Sequence, residues 1–117
     1  MRLAEAPVPT RHGKFEFVVF PGENVALVRG DVRGDGVLVR VHAECVRSDL
    51  FEATTCRCRE HLDRSLAEVG AAERGVVVYL RRHPHEPWLD ACEGHPREDV
   101  DAAAPILAEL GVKSVSP

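Results

Sequence analysis

Three cysteines lie close together in one short segment of this 117-residue chain. Cys45, Cys56 and Cys58 follow a C-x10-C-x-C spacing, directly after a strand-like run that ends in His42 and Glu44. Three thiolates can hold a zinc ion while its fourth position stays open to water or substrate, whereas a closed structural site normally takes four protein ligands. The spacing therefore favours a zinc site with a chemical role.

Two other interpretations of the cysteines stay open. Free cysteines are among the most buried residues, so these thiols can simply belong to the core. Disulfides fit less well, because Cys56 and Cys58 flank a single residue and no signal segment at the N-terminus indicates an oxidising compartment. A fourth protein ligand would close the zinc site and make it structural; the candidates are His83, His85, His95 and Cys92.

Composition restricts the classes of function. The length predicts one domain over residues 1–117, and the formal net charge is −4. No apolar run approaches the ~18 residues of a membrane span. Basic residues form no stripe of the kind expected in a nucleic-acid binder. We therefore expect a cytoplasmic protein that binds neither a membrane nor a nucleic acid polymer.

Strand signals dominate the part of the chain before the cysteines. Residues 1–10 contain two prolines and predict a loose lead-in. Runs rich in β-branched and aromatic residues then predict three strands, at 15–20, 25–29 and 37–42. The Asp35-Gly36 step is a strong hairpin signal, so we expect these strands to form an antiparallel meander.

Helical spacing begins after the cysteines. Leu62, Leu66 and Val69 predict an amphipathic helix over residues 60–72. The apolar run at 75–80 predicts a strand that is buried on both faces. The sequence therefore predicts an α+β fold, with an antiparallel or mixed β-sheet and two helices packed on it.

The last third of the chain predicts the second helix of this fold. Residues 82–98 have no hydrophobic period and predict an irregular loop. The last helix is expected from Asp99 to Leu110, with Gly111 as its stop. Residues 112–115 are expected to add an edge strand.

The order of several segments resembles the GTP cyclohydrolase II family. These segments are TRHGKF (Thr10–Phe15), ALVRGD (Ala26–Asp31), VLVRVHAEC (Val37–Cys45), the C-R-C step, RGVVVYLR (Arg74–Arg81) and, less closely, APILAELGV (Ala104–Val112). The family opens the imidazole ring of GTP at the start of riboflavin synthesis and releases formate and pyrophosphate. The resemblance implies a truncated GTP cyclohydrolase II-like core and a zinc-dependent hydrolase acting on a purine nucleotide or a related heterocycle. It also implies a homodimer, because family members are typically dimers.

The resemblance also assigns roles to individual residues. It implies Zn²⁺ on the three cysteines and nucleotide contacts along one strand segment, which comprises Arg40, Val41, His42, Ala43 and Glu44. Glu44 is the candidate catalytic residue, because its carboxylate adjoins the metal loop. His61 occupies the place of an amide side chain that helps to hold the nucleotide. As an alternative, Arg40 and Glu44 can form an ordinary ion pair on an exposed strand face.

Departures from the family pattern keep other functions open. Ala43 stands where the family normally has serine, and C-R-C-R-E-H replaces a C-D-C-G-x-Q-type sequence. After Arg81 the glycine-rich phosphate segment and the family's catalytic Tyr, Asp and Arg have no clear counterpart. Besides a diverged hydrolase, two alternatives therefore remain. One is a catalytically silent, zinc-stabilised paralogue that binds a nucleotide, and the other is a subunit completed by a partner.

Overall fold

The computed structural model describes residues 2–81 and 97–116, with the side chains of the last helix described from residue 101 onward. Five strands in this part of the chain form one mixed sheet. They are β1 (Ala4–Thr10), β2 (Gly13–Phe20), β3 (Asn24–Arg29), β4 (Leu38–Ala43) and β5 (Gly75–Leu80). Their spatial order is β1-β2-β3-β5-β4. All neighbours run antiparallel except β4 and β5, which are parallel.

The predicted loose lead-in is wrong, because most of it is strand β1. Ala4 pairs with Val19 and the register continues to Thr10 opposite Gly13. The Thr10 hydroxyl closes the turn by donating to the Gly13 carbonyl at 2.7 Å. The prolines that suggested a loop are tolerated because β1 is the outermost strand of the described sheet, where a missing backbone donor costs little.

The predicted meander is also wrong at its third strand. β4 does not follow β3 in the sheet, because β5 lies between them. The Asp35-Gly36 step makes no hairpin; the chain there meets residues near the C-terminus, through bridges of Gly34 with Val112 and Val37 with Val115. These two isolated bridges replace the predicted edge strand. Local turn signals could not reveal this arrangement, since a parallel neighbour arrives through a long crossover.

In the described residues, three α-helices accompany the sheet: α1 (Val46–Asp49), α2 (Cys58–Ala71) and α3 (Arg97–Glu109). The prediction for α2 is confirmed to within two residues at its start. α3 begins earlier than predicted, so the expected loop at 82–98 is wrong at its last two residues, and its remainder lies outside the described residues. Gly111 ends the helical region with φ +86°, a left-handed conformation that favours glycine.

Two hydrophobic clusters cover the two faces of the sheet. The larger packs α3 against strands and includes Val18, Val78 and Ile106. The smaller packs α2 against the other face and includes Val69 and Val77. Successive β5 residues thus alternate between the clusters, which confirms that this strand is buried on both faces. The predicted α+β fold with two helices packed on a mixed sheet is confirmed.

No helix in the described ranges is long and apolar enough to cross a membrane.

Candidate metal centre

The three sequence-predicted cysteines come together in the structure. The Sγ atoms of Cys45, Cys56 and Cys58 all lie within 4.8 Å of one another, and those of Cys45 and Cys56 are 3.7 Å apart. Cys45 and Cys58 are buried, whereas Cys56 is half-buried. Three soft thiolate donors at this separation suit a zinc ion, so the side chains fit the predicted metal.

Each cysteine lies on a different segment of the chain at one end of the sheet. Cys45 follows β4 and is the residue that precedes α1. Cys58 is the first residue of α2. Cys56 lies in the connection between these helices. The centre therefore depends on how α1 and α2 meet.

Ser48 and Arg59 join α1 to α2. The Ser48 side chain is buried, and its Oγ accepts the backbone N–H of Arg59 at 2.8 Å. Arg57, which precedes α2, makes no side-chain capping bond, so this cap comes from a different helix. The Arg59 guanidinium also donates to the Asp49 carbonyl at 2.9 Å.

The thiol of Cys56 ionises more readily than an ordinary thiol. Burial acts to raise its pKa, but hydrogen bonds from the backbone and thiol of Cys58, the Ser48 side chain and Cys45 outweigh burial and lower the pKa to about 7. A thiol that ionises near neutral pH loses its proton readily when a metal binds.

A buried carboxylate, Asp49, lies directly behind Cys45. It accepts the backbone N–H of Cys45 at 3.0 Å and the hydroxyl of Tyr79 at 2.7 Å. Both of its oxygens lie 3.2 Å from His42 Nε2. Burial acts to raise the Asp49 pKa, but the hydrogen bonds from His42, the Cys45 backbone and Tyr79 lower it below its ordinary value. Burial and the Asp49 carboxylate both raise the pKa of Tyr79, which keeps its phenol protonated as a donor.

Glu44, the predicted catalytic residue, is buried beside the same strand ends. Its side chain is 8% exposed, and its Oε2 accepts Arg81 Nε at 2.7 Å. Arg81 is itself held by its backbone N–H, which donates to Asn24 Oδ1 at 2.7 Å. Glu44 is thus paired with Arg81, and the alternative of an Arg40–Glu44 pair is wrong.

Strand alternation divides the predicted nucleotide-contacting segment between two faces. Arg40 lies on the α2 side, where its Nε is 3.4 Å from Glu68 Oε1. Val41 packs with the cluster on the α3 side, and Ala43 is buried. His42 is buried against Asp49, and the His61 side chain is exposed on the first turns of α2. Their contact with a nucleotide stays a prediction.

An open pocket of about 300 Å³ adjoins Cys56. Its lining is mostly polar and comprises Ser48, Glu52, Ala53, Thr54, Cys56, Arg57, Arg59 and Glu60. A separate apolar pocket of about 220 Å³ lies on the α2 side of the sheet, and Tyr79 is one of its lining residues. The predicted fourth ligands at positions 83, 85, 92 and 95 lie outside the described residues.

Sequence reasoning did not find the network around Asp49. The strand predicted at 75–80 includes Tyr79 only as one residue of an apolar run. Two signals were available: the aspartate follows Cys45 by one helical turn, and Tyr79 is the residue with a polar group in the run GVVVYL. A buried tyrosine hydroxyl needs a hydrogen-bond partner, and the carboxylate supplies it.

The fold and the centre define a small α+β domain with a three-cysteine group that can hold a metal ion. A family model described as GTP cyclohydrolase II matches residues 1–94. The chain therefore belongs to the GTP cyclohydrolase II family, a family of riboflavin-pathway enzymes, and the resemblance seen in the sequence is confirmed.

Curated relatives agree with this assignment. The riboflavin biosynthesis protein RibBA of Mycobacterium tuberculosis is 47% identical over 146 residues, covering 97% of this chain and 34% of that protein. RibBA of Mycobacterium avium is 45% identical with the same coverage. This chain thus spans about a third of the length of these relatives. The matched span of 146 positions exceeds the 117 residues of this chain, so each relative has residues within it that have no counterpart here.

A solved structure shares the fold. RibBX, a two-domain 3,4-dihydroxy-2-butanone 4-phosphate synthase from A. baumannii, aligns with a TM-score of 0.63 at 24% sequence identity. The alignment covers 98% of this chain and 32% of that chain. At this identity the match supports the architecture alone.

Proposed function

We propose that this domain is a zinc-dependent hydrolase of the GTP cyclohydrolase II type, which opens the imidazole ring of a purine nucleotide or a related heterocycle. The observation that carries the proposal is the gathering of Cys45, Cys56 and Cys58 within 4.8 Å in a chain of this family. These three residues would hold the zinc ion. When bound, zinc would supply Lewis acidity toward water, which would make the water a better nucleophile for an electrophilic ring carbon.

The pocket beside Cys56 is the proposed place for the substrate. Its lining residues include one of the three cysteines, Cys56, together with Arg57 and Arg59. Guanidinium groups suit the phosphates of a nucleotide, because they present donors in a planar fork. Arg59 is already oriented by its bond to the Asp49 carbonyl, so part of the cost of ordering it is met before binding.

Glu44 is the proposed proton acceptor. Glu44 precedes Cys45 directly, and its carboxylate is buried. Arg81 Nε donates to Glu44 Oε2 at 2.7 Å, and this bond fixes the orientation of the carboxylate. In this proposal Arg81 orients Glu44 and does not itself react.

The test is formate release from GTP by zinc-loaded, reduced protein. We expect zinc-dependent formate from the wild-type chain and none from Cys56→Ser. Glu44→Gln should lower turnover at least about 100-fold, the scale of a lost general base. The matched control is Glu16→Gln, because Glu16 is a half-buried glutamate on β2 outside the proposed site. This variant should keep wild-type turnover.

A second function is favoured by the missing residues. The relatives carry residues within the matched span that this chain lacks, and the family's glycine-rich segment has no counterpart after Arg81. We therefore also propose a silent, zinc-stabilised nucleotide-binding module or a subunit completed by a partner, including a second copy of this chain. Zinc-loaded, folded protein that binds GTP but releases no formate would select this function over the hydrolase.

A further inference from the structure

The carboxylate of Asp49 connects three separate parts of the protein. It accepts a hydrogen bond from Cys45 before α1, from Tyr79 on β5 and from His42 on β4. The Asp49 side chain is only 3% exposed, and the His42 side chain 6%. Burying a carboxylate is costly unless its oxygens are hydrogen-bonded, and here three donors satisfy them.

The contact with Cys45 fixes that residue from both sides. The Asp49 carboxylate accepts the Cys45 N–H, and the Asp49 N–H donates to the Cys45 carbonyl at 2.7 Å. Both peptide groups that flank the Cys45 side chain are thus held by one residue. The sulfur direction follows from this backbone, because χ1 has few staggered positions.

The contact with His42 determines which ring nitrogen carries the proton. An ionised carboxylate can only accept, so a bond at 3.2 Å requires a proton on Nε2. The ring orientation is further restricted by stacking on Tyr79, with centroids 5.6 Å apart and planes 17° from parallel.

We propose that Asp49 is a positioning residue of the cysteine centre, which fixes the backbone of Cys45 and the Nε2–H form of His42. This inference rests on the proposed metal-binding function. The group of possible ligand atoms within 4.8 Å comprises three sulfurs and not the Asp49 carboxylate, so Asp49 acts through its neighbours.

Asp49→Asn tests this role, because the side chains have nearly the same size. An amide offers one acceptor oxygen and one NH₂ donor. It therefore cannot accept hydrogen bonds from His42, Tyr79 and Cys45 all at once, as the carboxylate does. We expect Co²⁺ affinity of the full-length reduced chain, measured by competition with a chelator, to fall about 10–100-fold. The thiolate–cobalt absorption bands should shift, and ¹⁵N spectra should show His42 leaving its Nε2–H form.

Two controls separate positioning from loss of charge or stability. Asp31→Asn removes an exposed carboxylate that pairs with Arg33, and Gly70→Ala is expected to destabilise the fold away from the centre. Both should keep the wild-type cobalt spectrum and affinity. If Asp49→Asn does not fold, Tyr79→Phe removes one donor to the carboxylate, and we expect a smaller loss, about tenfold or less.

The outcomes distinguish this inference from the function on which it rests. A wild-type chain that binds no cobalt overturns both. A second outcome overturns the positioning role alone. In it the wild-type chain binds cobalt, the Asp49→Asn variant matches its affinity within about twofold, and His42 of the variant keeps its Nε2–H form. Equal losses in Asp49→Asn and Gly70→Ala also overturn it, since stability would then explain the effect.

Discussion

At the scale of single residues, the cysteine centre is surrounded by polar side chains that hold backbone groups. Ser48 accepts the N–H of Arg59, and Asp49 accepts that of Cys45. Both acceptors belong to the four-residue helix α1. Such a short helix has little stability of its own, so these bonds, rather than helix propensity, keep it in place.

Removal of the Ser48 hydroxyl tests this view. Ser48→Ala should lower the free energy of unfolding by about 1–2 kcal/mol, because it removes the cap of α2 and leaves the half-buried Arg59 N–H without its acceptor. Urea unfolding of the reduced, metal-free chain, followed by circular dichroism, measures this loss. Ser65→Ala, on the same helix, is the control and should change stability by less than about 0.5 kcal/mol. Equal effects of the two substitutions would show that the cap is unimportant.

At the scale of elements, α2 is held in place at both of its ends. Ser48 contacts its start, and the turn between β1 and β2 meets its last turn at Gly70. A Cβ atom on Gly70 would lie 2.1 Å from the His12 carbonyl oxygen, which belongs to the backbone. The glycine is therefore required by close packing.

Gly70→Ala should consequently destabilise the protein by about 1–2 kcal/mol, the usual cost of overpacking after the helix preference of alanine is deducted. Thermal or urea unfolding measures the change. Ala67→Gly, at an exposed position of the same helix, gives the propensity effect alone, about 1 kcal/mol. If helix propensity alone mattered, Gly70→Ala would stabilise the protein by a similar amount. A measured stabilisation would therefore contradict the close contact.

The sequence predicted elements with strong local signals and missed pairings between distant segments. The spacing of Leu62, Leu66 and Val69 was sufficient to predict α2, because helical periodicity is a local property. The neighbour of β4 was not predictable in this way, since β5 begins more than thirty residues later. The difference between local and distant signals applies to the site as well. The cysteines could be recognised by their spacing in the sequence, whereas the bond between Asp49 and Tyr79 forms only in the folded sheet.

At the scale of the whole molecule, the cysteine centre and the hydrophobic core occupy different regions. The larger cluster packs α3 on one face of the sheet, and the smaller packs α2 on the other. Neither cluster, as the described residues define them, contains Cys45 or Cys58. Most of the apolar burial that stabilises the sheet therefore does not depend on a metal ion.

Metal removal should accordingly loosen one region and leave the rest folded. After chelation under reducing conditions, we expect far-ultraviolet circular dichroism to change little and amide protection to fall mainly between residues 44 and 59. Hydrogen exchange with mass spectrometry, with β2 and β5 as internal references, measures this difference. Cooperative loss of protection throughout the sheet would instead show that the metal is required for folding.

The parallel pairing of β4 with β5 has a consequence for the order in which the molecule is made. A nascent chain that has emerged only as far as residue 74 already contains all three cysteines, but it lacks the strand beside which β4 lies. Tyr79 and Arg81, which hold Asp49 and Glu44, are synthesised later still. A metal ion that reached this nascent chain would meet three thiols on a segment without its neighbouring strand, and the bond between Tyr79 and Asp49 would form only when β5 enters the sheet.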